Sequence, residues 1–165
     1  MFSAKHQKAA LVGAVAAYMG LVVFGNVVDS AANFAYVQHV LSMDTVLPHN
    51  TQKWRAITNP EVWRLSYVLI LVYQIVAACW LLWATVRLFR SSAIEWVENR
   101  TFASGALVFT LLLWLVPFAT VGGEWFQMWQ SSEWNGLDAC GRNFTMQGIV
   151  LLYLQTPDEG EKIDA

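Results

Sequence analysis

The sequence predicts an all-α integral membrane protein, a four-helix bundle with an outer-side cap of loops and a short amphipathic helix. Of its 165 residues, 56% are hydrophobic and only 13% are charged, against roughly a quarter charged in an ordinary soluble domain. Three windows without a charged residue cover positions 9–28, 65–86 and 102–123. Each has about the 20 residues that a helix needs to cross a bilayer core, and lipid forces such runs to be helical. We therefore treat residues 1–165 as a single membrane domain.

The composition also excludes several classes of function. The net charge of −2 and the lack of a basic run argue against a nucleic-acid partner. Cys79 and Cys140 are isolated, without zinc-type spacing, and we expect Cys79 to be a small buried hydrophobe. No Ser/His/Asp order or HExxH pattern supports hydrolysis. The sequence therefore predicts no enzyme and no resident cofactor, with a bound lipid or quinone left open.

The first transmembrane helix is predicted over residues 9–28. Lys5 and Lys8 precede it, but the run is longer than the roughly 7–15 apolar residues of a signal peptide. Small residues recur four apart, as at Gly13 and Ala17, which lets another backbone approach closely in lipid. This pattern is typical of packing inside the protein, and a dimer seam is the alternative.

An outer loop over residues 29–60 follows. Within it, Phe34, Val37, Val40 and Leu41 fall on one helical face, and polar residues fall elsewhere. This amphipathic pattern predicts a short helix that either lies in the interface plane or continues the first helix.

The second transmembrane helix is predicted over residues 62–86. Asn59 suits the capping position, Pro60 the first helical position, and Glu61 the positive end of the helix dipole. Gln74 falls near the bilayer midplane. Because its amide needs a partner there, we expect it to face another helix.

The third and fourth helices are predicted over residues 102–127 and 136–155. Pro117 removes one backbone hydrogen bond and should kink the third. The fourth contains Asp138 and Arg142, which are four apart and able to pair. The last segment, residues 157–165, is an acidic tail that we expect to be flexible.

The cationic residues give an orientation. With four spans, six Lys and Arg residues fall on the side of the termini and four on the other side, so the positive-inside rule places both termini in the cytoplasm. The six are Lys5, Lys8, Arg87, Arg90, Arg100 and Lys162, and the four are Lys53, Arg55, Arg64 and Arg142.

This topology gathers unusual residues in an outer cap. We expect Glu124, at the end of the third apolar run, to pair with Arg55 or Arg64 and tie its helix to the outer loops. A proton-carrying or ligand-binding acid is the alternative. The residues expected at the cap, for structure or interaction, are His39, Asp44, Trp54, Arg55, Arg64, Glu124, Trp125, Trp129, Trp134 and Asn135.

Two further patterns occur near this cap. Trp114, Phe118, Trp125 and Trp129 share one helical stripe, which is typical of an aromatic belt and packing surface and, less so, of an aromatic cage for a cation. A weak set of soft metal ligands suits copper, although a packed histidine and two packed methionines are the simpler interpretation. That set is His39, Met43 and Met128.

Four motifs at the cap occur in a familiar order. The segments HVLSMD, WRAI, GGEWFQMWQS and WNG, spaced among the apolar runs, resemble a family of bacterial predicted small integral membrane proteins, domain of unknown function 2165. The resemblance covers about residues 26–154, with Leu137 where the family pattern has Gln. It implies a bacterial inner membrane and four helices, and it implies no activity, cofactor or catalytic residue.

The sequence thus favours an accessory or stabilising subunit of a larger membrane protein complex, with an energy-converting complex as one candidate. Its partners would be other membrane protein subunits and membrane lipid. The alternative is an independent small transporter or ligand-binding protein whose site is lined by Glu124, Arg55 and His39. A third option, a membrane enzyme or copper-handling protein, predicts stoichiometric metal in the latter case.

Overall fold

The computed structural model describes residues 3–158, so most of the predicted acidic tail, from residue 159 on, lies outside the described residues. Within that range the chain forms five α-helices, two short 3₁₀ turns and no β-strand. The helices are α1 (Ala4–Val28), α2 (Ser30–Ser42), α3 (Pro60–Arg90), α4 (Trp96–Leu113) and α5 (Leu137–Gln155). A π-helical segment (Trp114–Trp125) continues α4, and the 3₁₀ turns are Lys53–Arg55 and Met128–Gln130.

Three helices are long and apolar enough to cross a membrane. They are α1, α3 and the continuous helix that α4 forms with the π-helical segment, Trp96–Trp125. The all-α membrane class is therefore confirmed. The count of four helices is not, because α2 is a fifth helix and because α5, which carries Asp138, Arg142 and buried amides, is not among these three.

The helix α3 runs antiparallel to α1 and to α4. Gly13 of α1 packs against Thr85 of α3, and Asn26, nearer the end of α1, bonds Gln74. In α5, the Cys140 thiol donates to the Trp114 carbonyl at 2.9 Å. The bundle thus has a cap end, where α1 ends and α3 and α5 begin, and a termini end, where Lys8 meets Thr156.

The first helix begins earlier than predicted. Ser3 caps it by accepting the backbone N–H of His6 at 3.5 Å, so the helix starts at Ala4 and not at residue 9. Lys8 is consequently inside α1, with only 1% of its surface exposed. A lysine is tolerated there because its ammonium donates to the Thr156 carbonyl at 2.5 Å and pairs with Asp158 at 2.9 Å.

The second predicted helix starts as expected. Asn59 Oδ1 accepts the N–H of Glu61 at 2.9 Å, and Pro60 holds the first helical position. The helix ends four residues later than predicted, at Arg90. Arg87 does not end it, because its guanidinium donates to Asn99 and Glu98 in the first turns of α4, both at 2.8 Å.

The third predicted helix changes character at Pro117. From Trp114 to Trp125 the chain adopts the wider π-helical geometry, which the sequence did not predict. A proline ring clashes with the carbonyl four residues before it in an α-helix, and the wider turn accommodates the ring. The helix starts at Trp96, not at 102, and ends at Trp125, not at 127, because Gln127 adopts a left-handed conformation (φ 53°).

The amphipathic pattern in the outer loop predicted α2 correctly. Val37, Val40 and Leu41 are buried over the cap-end part of the bundle, with Phe126 and Met128. The N–H of Ile57 donates to the Leu41 carbonyl at 2.8 Å and closes the loop onto α2.

The two cysteines differ in their surroundings. Cys140 is buried, whereas Cys79 is exposed on the outer surface of α3. The prediction that Cys79 is buried is therefore wrong, because a helix in lipid can turn apolar residues outward at no cost.

Candidate functional site

The cap end carries a cation held by two aromatic rings. The guanidinium carbon of Arg55 lies 5.4 Å from the Trp54 ring centre and 4.6 Å from that of Trp125. The two indoles meet edge-on, with centres 6.1 Å apart, and Arg55 Nη1 donates to the Trp125 carbonyl at 3.2 Å. Such cation–π contacts are worth about 0.5–2 kcal/mol each. We call this group the Trp–Arg–Trp stack.

The stack presents a large surface. Trp54 is 71% exposed and Trp125 48%, and Trp129, four residues after Trp125, is 49% exposed. Arg55 Nε is buried and has no hydrogen-bond partner in residues 3–158. The stack therefore has exposed aromatic faces and one donor that the chain itself does not satisfy.

The predicted ion pair of Glu124 does not form. Arg64 pairs with Glu61, one turn earlier on the same helix, at 2.7 Å. Arg55 is held by the stack, and Glu124 is exposed with no ion pair or hydrogen bond to any described residue. Arg64 pairs with the nearer acid, Glu61, so Glu124 remains an unpaired carboxylate at the cap surface.

The connection between the third predicted helix and the outer loop, which was predicted for Glu124, is made by amide side chains. Asn50 Nδ2 donates to Gln127 Oε1 at 2.6 Å and to Gln130 Oε1 at 2.8 Å. The N–H of Leu47 donates to the same Gln130 oxygen at 3.2 Å. The outer loop is thereby fastened to the chain that follows the π-helical segment. No spacing rule flags these amides, because the left-handed Gln127 that aims them is not visible in the sequence.

His39 is placed by stacking and by an acid. Its ring lies 4.5 Å from that of Trp134 at an angle of 17°, and its Nδ1 is 2.8 Å from Asp44 Oδ2. His39 therefore contacts neither Arg55 nor Glu124, and the three-residue site of the alternative hypothesis is not assembled.

The weak copper-ligand set is also occupied by other contacts. The Tyr36 hydroxyl donates to Met128 Sδ at 3.1 Å. Met43 is buried in a left-handed conformation at the end of α2. Residues 3–158 hold no group of three or more His, Cys, Asp or Glu side chains able to bind a metal.

The last of the predicted cap residues, Asn135, makes a local contact, and the ion pair predicted within α5 does not form. Asn135 Oδ1 accepts the N–H of Leu137 at 3.1 Å and shapes the start of α5. Asp138 and Arg142 are both exposed and form no ion pair with each other. That predicted pair is wrong, and two solvated charges at a surface lose little by staying apart.

The aromatic stripe predicted on the third helix is divided by the π-helical turn. Trp114 and Phe118 remain in contact, with ring centres 5.2 Å apart. Trp125 turns away to join the Trp–Arg–Trp stack, and Trp129 lies in the following 3₁₀ turn. The stripe assumed 3.6 residues per turn, and the wider turn changes which residues share a face.

Two adjoining cavities lie beneath α2. The first has a volume of about 290 Å³, and the second has a volume of about 250 Å³. Both are lined by Tyr36, Val37, Ile70 and Phe118. The first is otherwise almost wholly apolar, whereas the second also contains the amides of Asn26, Asn33 and Gln74.

Tyr36 stands between these cavities. Burial raises the pKa of its phenol to about 12, so the hydroxyl keeps its proton and remains a hydrogen-bond donor at physiological pH. An alanine Cβ at Gly136 would meet the Tyr36 hydroxyl oxygen. Only glycine lets the start of α5 approach α2 this closely.

A family model described as a predicted small integral membrane protein, domain of unknown function 2165, matches residues 4–157. The chain belongs to this family. The resemblance in the cap motifs is thus confirmed, and the match extends further toward both ends than those motifs. No curated protein and no solved structure matches the chain.

In this family member, a cluster of charged and aromatic residues at the termini end was not predicted from the sequence. Asp158 receives Lys8 at 2.9 Å, the indole N–H of Trp96 at 2.6 Å and, at 3.8 Å, Arg100. The only sequence signal was a lone lysine within helical reach of an apolar run. The tail was expected to be flexible, which hid the role of Asp158.

Proposed function

We propose that this membrane protein is an accessory subunit that stabilises a larger membrane protein complex through its cap end. The observation that carries the proposal is the exposed Trp–Arg–Trp stack of Trp54, Arg55 and Trp125. Tryptophan and arginine are the residue types most enriched at interface hot spots. Here they are already ordered by contacts within the chain, so docking costs little conformational entropy.

The charges at the cap indicate the chemistry of the partner. Arg55 Nε is buried without an acceptor, and Glu124 is exposed without a cation in the described part of the chain. A subunit that offers a Lys or Arg would pair with Glu124, whereas Arg55 Nε, being buried, lies out of reach of a docking partner. Membrane-interface tryptophans that serve only as lipid anchors need no such carboxylate next to them. The charges therefore favour a protein surface, another membrane subunit, over lipid alone.

We further propose the inner membrane of a bacterium, with both termini in the cytoplasm. The positive-inside count supports this orientation, and the contact of Lys8 with Asp158 supports having both ends on one side. Impermeant maleimide labelling tests it in a Cys79→Ala, Cys140→Ala background. Lys53→Cys should react in intact cells after outer-membrane permeabilisation, and Ser92→Cys should react only after lysis. The reverse pattern would overturn the orientation.

The proposed role is tested by extraction from native membranes in a mild detergent with a C-terminal tag. Sizing and mass spectrometry should show a large particle with reproducible subunits. Trp54→Ala and Arg55→Ala should release them, whereas Trp83→Ala, which removes another exposed tryptophan (58%) toward the other end of α3, should not. A lone, stable, monodisperse particle from wild-type membranes would sink the proposal.

A further inference from the structure

We propose that the two cavities beneath α2 form one binding site for a neutral, planar ring that bears carbonyl groups and an apolar chain, the chemistry of an isoprenoid quinone. This site goes beyond the proposed accessory role and does not depend on it. None of the residues that line the cavities belongs to the Trp–Arg–Trp stack.

The space suits a small ring with part of its chain. Volumes of about 290 and 250 Å³ lie side by side and share four lining residues, near the lower limit of roughly 300 Å³ for a ligand pocket. Leu69, Val116 and Val121 line the first cavity and are also 39% to 59% exposed on the outside of the bundle. The apolar cavity therefore reaches the lipid-facing surface, and a chain can leave through it.

The polar end of the site is an amide pair with unused hydrogen-bonding capacity. Asn26 Nδ2 donates to Gln74 Oε1 at 2.5 Å, and Gln74 is only 2% exposed while lining the second cavity. Whichever way the two amides are turned, one NH₂ group of the pair keeps both hydrogens without a described partner. A ligand carbonyl in the second cavity would accept from it.

The lining also indicates a neutral, flat head. Neither cavity is lined by a charged residue, whereas a phosphate head group needs a cation or several donors. Four aromatic rings line the second cavity, and their faces suit stacking on a planar ring. They are Tyr36, Tyr67, Trp114 and Phe118.

The π-helical segment explains why the space exists. Val116, Pro117 and Phe118 of that segment line the first cavity. A π-turn is wider than an α-turn and displaces side chains from close packing, and such turns occur frequently at functional sites. We therefore attribute the space to the wider backbone turn around Pro117.

Decylubiquinone binding to the purified full-length protein tests the proposal. Quenching of tryptophan fluorescence should saturate with the wild type. Ile70→Phe, which fills both cavities, should weaken binding by about tenfold or more, the equivalent of 1.4 kcal/mol. Leu82→Phe, a matched change on the exposed face of the same helix (61% exposed), should bind like the wild type. Gln74→Leu should weaken the binding of decylubiquinone and leave the binding of an alkyl compound without a ring unchanged.

Several results would overturn the site. Non-saturating quenching, or equal binding by wild type and Ile70→Phe, would show that the quinone does not occupy these cavities. Equal competition by 1-decanol would indicate an acyl-chain groove without ring recognition, and recovery of phospholipid displaced by Ile70→Phe would identify lipid as the occupant. If Ile70→Phe does not fold, Val37→Phe, which also lines both cavities, replaces it. A wild-type protein that is extracted without any partner but still binds decylubiquinone would refute the accessory role alone.

Discussion

Asn26 and Gln74 join α1 to α3 through one hydrogen bond inside the membrane-spanning region. The sequence predicted that Gln74 faces a helix, because an amide exposed to lipid lacks a partner. It did not identify Asn26, since that residue lies at the end of the first apolar run and looks like a boundary residue. The depth of a side chain depends on how far each helix continues, which local pattern does not fix.

This pair makes a quantitative prediction. Gln74→Leu should lower the free energy of unfolding by about 1 kcal/mol, the range measured for interhelical hydrogen bonds in membranes. Unfolding in mixed micelles with increasing SDS measures it. The double variant with Asn26→Leu should cost less than the sum of the single changes, because both remove the same bond. Strict additivity would mean that the two amides do not interact.

For Glu124, in contrast, we expect almost no effect on the free energy of unfolding. Since its carboxylate is exposed and unpaired, Glu124→Gln should change the free energy of unfolding by less than about 0.5 kcal/mol. Asn50→Ala, which removes the bonds to Gln127 and Gln130, should cost about 1–3 kcal/mol in the same SDS titration. A large loss of stability with Glu124→Gln and none with Asn50→Ala would contradict this expectation and favour the ion pair predicted from the sequence.

At the scale of helices, the start of α3 was easier to predict than its end. Asn59 and Pro60 mark the start of α3 by local chemistry that any chain would follow. The end of α3 depends on Arg87 reaching Asn99 and Glu98 of another helix, which is tertiary information. Prediction is limited in the same way at Pro117. A proline in the sequence indicates that the helix is irregular there, but it does not indicate whether the helix kinks or widens.

The contact between α2 and α5 can be tested at Gly136. Gly136→Ala places a methyl group against the Tyr36 hydroxyl, and overpacking of this kind costs about 1–3 kcal/mol. Thermal unfolding in detergent should show a lower midpoint for Gly136→Ala than for wild type.

A second change provides the control for this contact. Tyr36→Phe removes the hydroxyl that the new methyl group meets, so Gly136→Ala should be milder in a Tyr36→Phe background than in the wild type. An unchanged penalty in that background would mean that the alanine acts on the backbone and not on the packing of α2 against α5.

At the scale of the molecule, the chain closes on itself at the termini end. Lys8 and Asp158 are 150 positions apart, and both are nearly buried, with side-chain exposures of 1% and 9%. The sequence analysis counted Lys8 as a flanking cation and the region of Asp158 as a flexible tail. Composition assigns a charge to a side of the membrane, but only the assembled bundle shows that two charges meet.

Because of this contact at the termini end, we expect a change at Asp158, a residue of the predicted flexible tail, to lower the free energy of unfolding strongly. Asp158→Ala leaves the buried Lys8 ammonium without its carboxylate, and an uncompensated buried charge costs about 3–5 kcal/mol. Arg64→Ala is the matched control, because it breaks the exposed pair with Glu61, and pairs of that kind contribute less than about 1 kcal/mol. SDS titration of both variants should therefore separate them clearly. The double variant Lys8→Met, Asp158→Leu should recover much of the loss, since it removes the stranded charge together with its partner. Equal, small effects of Asp158→Ala and Arg64→Ala would mean that water reaches Lys8 and that the ends of the bundle are held by apolar packing alone.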